Sequence, residues 1–374
     1  MATYKVYLYN VLTQTVYAEI PFSALSYSYV MDEAGSATIE IPIGVPKRNG
    51  SALTANDLFP VRTAVAIERN GALVWGGLVW AYRVNLNART IAITAGDYLS
   101  YYKHRHIGAN VATTYKDVEQ SQMIKNLITA IASTGIKTDT AGIVNTNMVR
   151  TRSWNQYEFK ALYDVFSDLA DDITSKNPTT GVEGGGFFLY FEPYWVTVGS
   201  KIGNRVYNTA NRHPYDSGVS LQQGVNCEFT DISLDGTGLA SAAFAIGATD
   251  GTATVTPYAS DTNPALAALV PQVNAIINET GIKNATALQY KVKSALAFGS
   301  LPVMLPSAST YPGLFSPLAL KPGMRAGVTT DDGFLNLIGE DYVITQTSVS
   351  VASDGSDRLT LSLVQTDLFK ETED

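Results

Sequence analysis

The stretch from Val61 to Val84 leaves this chain little freedom. Val61, Thr63, Val65 and Ile67 alternate with Arg62, Ala64, Ala66 and Glu68. A period of two sends successive side chains to opposite faces of a strand and gives no single apolar stripe to a helix. Asn70-Gly71 follows, a pair that accepts the positive φ angles of a two-residue hairpin turn, so Ala72 to Val84 returns antiparallel with its register set locally. Gly76-Gly77 within the return strand predicts a bulge or a barrel bend there. Thr3 to Tyr9 alternates as well, Ala37 to Ile43 places Ile39, Ile41 and Ile43 on one face, and Asn85 to Ala88 turns into Arg89 to Thr94. Four or more consecutive antiparallel strands with a kinked central one fit a small closed barrel, because closure removes exposed edges.

The pattern changes near Tyr101. Lys116 to Ser133 carries Ile124, Leu127, Ile128 and Ile131 at helical spacing with Gly135 as a C-cap. Phe159, Leu162, Tyr163, Phe166, Leu169, Ala170 and Ile173 form the clearest helical stripe, ending before Pro178. Gly181 to Gly186 reads as a turn or linker, and Phe187 to Phe191 with Tyr194 to Val198 as a hairpin. Strands resume at Cys227 to Leu234 and Ala242 to Thr256, the latter turning at Asp250-Gly251. Asn263-Pro264 reads as an N-cap and first turn, Pro271 as a kink or restart, Ile276-Ile277 as helical, and Ala285 to Phe298 as a second helix. Leu301 to Pro322 reads as a long loop before a final meander of Met324 to Thr329, Tyr342 to Val351 and Arg358 to Gln365, with turns at Asp332-Gly333 and Asp354-Gly355. Strands, helices, then strands again favour α+β, β-dominated, over a doubly wound fold. In outline the second half repeats the first.

Composition narrows the function. Only 16% of the 374 residues are charged while 45% are hydrophobic, with 21 Tyr, 13 Phe and 4 Trp, which excludes a disordered chain. A formal charge of -8 argues against a dedicated nucleic-acid binder. No apolar run approaches the ~20 residues that span a bilayer, and the N-terminus does not read as a signal peptide. A single Cys227 excludes a disulfide framework and reads as a small apolar residue beside Phe229.

Candidate chemistry is sparse. His104 and His106 in Lys103-His104-Arg105-His106 would share a strand face, but two flanking cations disfavour a metal, and the remaining His213 is distant. Asp171-Asp172 and Asp331-Asp332 are adjacent pairs, whereas glycosidase carboxylates face each other from separate elements; Asp331-Asp332-Gly333 is turn chemistry. Gly181-Val-Glu-Gly-Gly-Gly186 lacks the ending of a phosphate loop, and no nucleophile elbow, zinc helix or calcium loop occurs. No catalytic, cofactor or metal residue is assigned, and the reading is of a non-enzyme without cofactors. Trp75, Trp80, Trp154 and Trp195, with Tyr98, Tyr101 and Tyr102, would suit either core packing or a sugar-stacking platform; Trp75 and Trp80 fall on opposite faces of a regular strand, which a bulge at Gly76-Gly77 would realign.

Six runs together carry a family resemblance. Ala34-Gly-Ser-Ala-Thr-Ile-Glu-Ile-Pro42, Val65-Ala-Ile-Glu-Arg-Asn-Gly-Ala-Leu-Val-Trp-Gly-Gly77 and Ile91-Ala-Ile-Thr-Ala-Gly-Asp-Tyr98 resemble the first barrel of bacteriophage tail-tip or baseplate hub proteins, the minor tail proteins of phages with long non-contractile tails. Leu320-Lys-Pro-Gly-Met-Arg-Ala-Gly-Val328, Tyr342-Val-Ile-Thr and Leu359-Thr-Leu-Ser-Leu are similar to their second barrel. The resemblance implies two similar small β-barrel domains with helical or α/β inserts: residues 1–105 as the first barrel, completed by strands from 187–225; 106–186 as a helical insert; 226–260 with 320–368 as the second barrel; and 261–319 as a helical and loop insert. It further implies a homotrimeric virion protein at the distal end of the tail, assembled in the host cytoplasm. Its partners would be the distal tail protein, the tape measure protein and tail fibre or receptor-binding proteins, with genome DNA only in transit. Related hubs can carry a C-terminal peptidase or lysozyme domain, for which about ten residues after the last predicted strand leave no room. The alternatives are a distal tail ring protein and a receptor- or carbohydrate-binding tail protein.

Overall fold

The computed structural model describes residues 2–107, 112–171, 175–176, 183–184, 186–211, 214–247, 258–279, 285–352 and 354–366. The first run holds β1 (Tyr4–Asn10), β2 (Val16–Ile20), β3 (Ala24–Val30), β4 (Ser36–Pro42), β5 (Thr63–Arg69), β6 (Ala72–Asn85) and β7 (Thr90–Asp97), in the spatial order β2-β1-β5-β6-β7-β4-β3. Asn70 and Gly71 turn β5 into β6 with φ of 50° and 86°, as their sequence requires. Gly76 and Gly77 are not bulged. They pair regularly with Ala66 and Val65, and the register shifts fall on either side of them, between Ile67 and Glu68 on β5 and between Val79 and Ala81 on β6. The glycines serve close approach: a Cβ on Gly77 would lie 2.1 Å from the Gly96 carbonyl oxygen.

Next come α1 (Leu99–Tyr102), β8 (His106–Ile107), β9 (Thr113–Glu119), α2 (Gln120–Ile131), β10 (Thr138–Gly142), β11 (Val149–Trp154), β12 (Lys160–Ala161), α3 (Leu162–Asp171), β13 (Ser175–Lys176), β14 (Glu183–Gly184), β15 (Leu189–Thr197) and β16 (Lys201–Asn208). Both predicted helices form, each starting later than their periodicity suggests. Glu119 ends a strand and caps α2 by accepting from Gln122 N–H at 2.9 Å, so Lys116 is in β9. Gly135 lies beyond the Ala132 C-cap, where a Cβ would meet the Tyr101 hydroxyl at 2.9 Å. Phe159 is exposed and outside α3, while Ile173 and Pro178 lie outside the described residues. The expected hairpin within 187–198 is one strand: β15 runs through Pro193, which an edge strand accommodates, and its partner is β16.

The second half holds β17 (Tyr215–Gln222), β18 (Cys227–Asp235), β19 (Ala242–Gly247), β20 (Tyr258–Thr262), α4 (Pro264–Ala267), β21 (Asn274–Glu279), α5 (Ala285–Phe298), β22 (Val303–Thr310), β23 (Met324–Asp331), β24 (Asn336–Val351) and β25 (Asp357–Gln365). Asn263 caps α4, as read. Ile276 and Ile277 are in a strand, not a helix, because β21 finds a parallel partner in β19. The turn at Asp250-Gly251 lies outside the described residues. Val303–Thr310 is likewise a strand within the expected loop: Pro306 hides the pattern, but Ala308 is fully buried and the strand pairs with β18 and β25.

Neither half closes into a separate barrel. All strands of both runs belong to one 13-stranded sheet. Its joint is β24, whose first part pairs with β23 up to Val343 and whose last part, Gln346–Val351, pairs with β3. A 16-residue strand outruns its β23 neighbour, and β3 takes the edge left over. The strands of 187–225, expected to complete the first barrel, go elsewhere: β15 and β16 form a three-stranded sheet with β10, and β17 pairs with β23.

Each run is nonetheless curled. In a flat sheet β2 and β3 would stand six strand spacings apart, roughly 29 Å, yet Pro21 to Ser23 alone join them, a reach of about 14 Å. The second run, β17-β23-β24-β25-β22-β18, would separate its ends by about 24 Å, while the link from Gln222 to Cys227 reaches about 17 Å and makes a single bridge, Gln223 to Cys227. The inner faces of both runs share one core, with Val6, Ile39 and Ile93 in the same cluster as Leu221, Val328 and Ile344. A second core packs α2 and α3 against the outer face of the first run at Tyr7, Tyr9 and Leu78. A third, smaller core lies between α5 and the sheet β20-β19-β21.

Candidate functional site

The chemistry-bearing residues of the sequence are dispersed. His104 precedes β8, so it does not share a strand face with His106; its ring lies against Trp80 at 4.7 Å between centroids. Lys103 sits over the Tyr163 ring at 4.5 Å, and Arg105 donates to the Thr134 hydroxyl at 2.9 Å. These cations are packed on aromatic and polar neighbours. His213, Asp172 and Gly181-Val182 lie outside the described residues, and among the described ones no three His, Cys, Asp or Glu side chains come together. Asp332 accepts from Phe334 and Leu335 N–H at 2.9 and 2.8 Å, which holds its carboxyl below the usual range. That is the work of a turn residue.

The tryptophans form no platform. Trp75 is buried in the first core and donates to the Ser28 carbonyl at 3.1 Å, and Trp154 is buried in the second. Trp80 and Trp195 pack on the second core, on the other face of β6 from Trp75. Cys227 is fully buried, and burial pushes its thiol up to about 11, away from nucleophilic use. A cavity of about 410 Å³ between β23, β24 and the end of β25 is lined by Arg325, Glu340, Asp341 and Gln365. That lining lacks the apolar walls of a small-molecule site.

The polar chemistry that the fold does assemble is at its joints. Asp357, fully buried at the start of β25, accepts from Arg69 Nε of β5 at 2.6 Å and from the Tyr4 hydroxyl of β1 at 2.6 Å. One carboxylate thus ties the second run to two strands of the first. Burial, the nearby Tyr27 and this bond raise the Tyr4 phenol far above its ordinary range. Asp97, where β7 enters α1, accepts from Gly35 N–H at 2.7 Å and Leu99 N–H at 2.9 Å. Burial pushes its carboxyl up to about 7, against the opposing pull of those N–H groups. Sequence reading missed both: Asp357 follows Asp354-Gly355 and reads as one more turn residue, and Asp97 ends an alternating strand.

Surfaces remain as the functional features. On the β20-β19-β21 sheet, Ala243, Ala245 and Ala259 face α5, while Ile246, Tyr258 and Ile276 on the alternate positions are exposed. On the insert, Tyr157 and Phe159 are exposed with ring centroids 6.3 Å apart.

Comparison with solved structures gives this architecture a context. The 43 kDa tail protein of prophage MuSo2 from Shewanella oneidensis superposes with a TM-score of 0.64 at 14% identity, covering 98% of this chain and 99% of its own. The chain has the fold of phage tail proteins. A tail protein from Neisseria meningitidis matches this tail-protein fold with a TM-score of 0.59 at 12% identity, over 97% of this chain and 96% of its own. Prophage tail protein gp18 from Listeria monocytogenes does so at 0.55 and 10%, over 96% and 94%. No protein-family model and no curated protein sequence matches the chain.

Proposed function

We propose that this chain is a non-catalytic structural protein of a phage tail, the hub at the distal end of the tail. The observation that carries the reading is the end-to-end correspondence with the MuSo2 tail protein, which leaves neither chain a sizeable unmatched segment. Two curled β runs in one subunit support it further. Three copies would supply six such units for a ring around a lumen. In this reading residues 1–105 form the first β unit and 106–211 its insert; 215–235, 303–310 and 324–365 form the second β unit, and 242–298, with the β20-β19-β21 sheet and α5, a second insert. The ring joins the tail tube, through the distal tail protein, to fibre or receptor-binding proteins, and passes the tape measure protein and the DNA. Low charge with an acidic excess suits a conduit, because a strongly basic wall would hold the genome by counterion release.

Mass photometry and negative-stain imaging of the purified chain test this reading. A threefold ring about three chains in mass is the expected result. A stable monomer that forms no ring even with the other tail proteins present would refute it.

A further inference from the structure

Among the described residues, the β20-β19-β21 sheet is a two-layer module with one side open. On the side away from α5, Ile246 is 43%, Tyr258 54% and Ile276 62% exposed, and Phe244 stands between them, opposite Ser260 on one side and Ile276 on the other. The neighbouring positions on that face are Ser260, Thr262, Asn274 and Asn278, none of them charged. A sheet face that meets water is ordinarily polar, and a contiguous apolar patch marks a contact site.

Charge says what the patch takes. Between Pro214 and Ile282 the sequence has no Lys or Arg and seven acidic residues. Nearly all of the chain's net charge of -8 is therefore in the segment that holds this sheet, and Asp216, Glu228 and Asp231 are exposed there. Nucleic acid and anionic surfaces are repelled by such a lobe. A fitting partner is basic with an apolar centre, and residues 101–160 of this same chain meet both conditions. They carry eight Lys or Arg against four Asp or Glu, with Lys103, Lys116, Lys125 and Lys137 exposed. Within them Tyr157 is 66% and Phe159 52% exposed, at φ of 65° and 48°, a backbone region that bulky side chains avoid. The loop is held there by Asn155 N–H donating to Glu158 Oε2 at 2.8 Å. An aromatic pair held outward in an unfavourable conformation fits an anchor that gains its packing from a partner.

We propose that the open face of the β20-β19-β21 sheet receives the Tyr157–Phe159 loop of a second copy of this chain, steered by the basic segment 101–160 of one copy and the acidic lobe of the next. The two surfaces differ, so the contact is head-to-tail and propagates around a ring. The proposal rests on the trimer reading above. It is tested on the full chain by mass photometry across a concentration series, with circular dichroism to confirm folding. Ile276→Lys and Phe159→Glu, both at exposed positions, are each expected to raise the concentration of half-assembly at least tenfold. The combined variant, which places the new cation against the new anion, is expected to recover most of that loss. Raising the salt concentration is expected to weaken wild-type assembly severalfold. A wild-type ring that both single variants leave intact overturns the docking proposal and leaves the hub reading standing. A ring that both variants weaken and their combination does not recover overturns the pairing of these two surfaces. A wild-type chain that stays monomeric even with the other tail proteins present overturns the hub reading and the docking proposal together.

Discussion

Arg69→Leu leaves Asp357 buried without its cation, and the structure sets the scale of the loss. The Asp357 side chain is fully buried and that of Arg69 is 11% exposed, so solvent screens the pair little. Removing one partner of a buried ion pair costs about 3–5 kcal/mol, because the remaining charge has lost its compensation. The Tyr4 hydroxyl still donates to Asp357 at 2.6 Å, and a hydrogen bond to a charged group retains roughly 1.5–3 kcal/mol. The expected cost is therefore near the lower bound, ~3 kcal/mol, or about two orders of magnitude in the folding equilibrium. Urea unfolding followed by circular dichroism and by tryptophan fluorescence measures it, with Trp75 in the core shared by both runs as a reporter. Arg69→Leu combined with Asp357→Leu and Tyr4→Phe removes both charges and the hydroxyl that donates to Asp357, and should cost far less than the single change, since apolar groups replace a buried ion pair nearly neutrally. A single-variant loss below about 1 kcal/mol, or a combined variant as damaged as the single one, would refute the view that this carboxylate depends on Arg69.

Other outcomes follow from the same geometry. Asp97 has a folded pKa of about 7, above its unfolded value near 3.9, so its contribution is fully present below about pH 4 and is lost as pH rises through 7. Wild-type thermal stability should therefore be higher at pH 5 than at pH 8 by about 2–4 kcal/mol from this group, and Asp97→Asn should flatten that dependence in calorimetry. Gly77→Ala forces a Cβ to 2.1 Å from the Gly96 carbonyl oxygen and should cost ~3 kcal/mol or more of stability, read as a markedly lower melting temperature; an unchanged melting point would show that β6 and β7 can separate freely. Asn263→Ala removes the acceptor of Leu266 N–H at 3.1 Å and should cost about 1 kcal/mol, read as faster amide exchange in α4 ahead of the rest of the chain.

The local parts of the fold were legible because they are decided by neighbours in sequence. Asn70-Gly71 fixes a turn by the φ angles it tolerates, Asn263-Pro264 starts a helix by its own cap, and Ala285–Phe298 needs only its composition and length. The candidate surfaces were half legible. Residue types matched no known catalytic motif, while nothing in a linear pattern distinguishes Ile276 in an open sheet face from an apolar residue in a helix.

Tertiary structure decided what depends on distant partners. Pro306 obscures the strand pattern of Val303–Thr310, which becomes a strand because β18 and β25 offer open edges on either side of it. β3 meets β24 across more than three hundred residues, and that pairing, set by how far β24 extends past β23, turns two expected barrels into one continuous sheet. Asp357 becomes a structural carboxylate only when Arg69, 288 residues away in sequence, reaches it. The sequence by itself determined the turns, caps and strand periods, because torsional preferences and side-chain alternation act over a few residues. The seams, joints and open faces were left to the folded chain, because burial and edge pairing are properties of surfaces that exist only once distant segments have met.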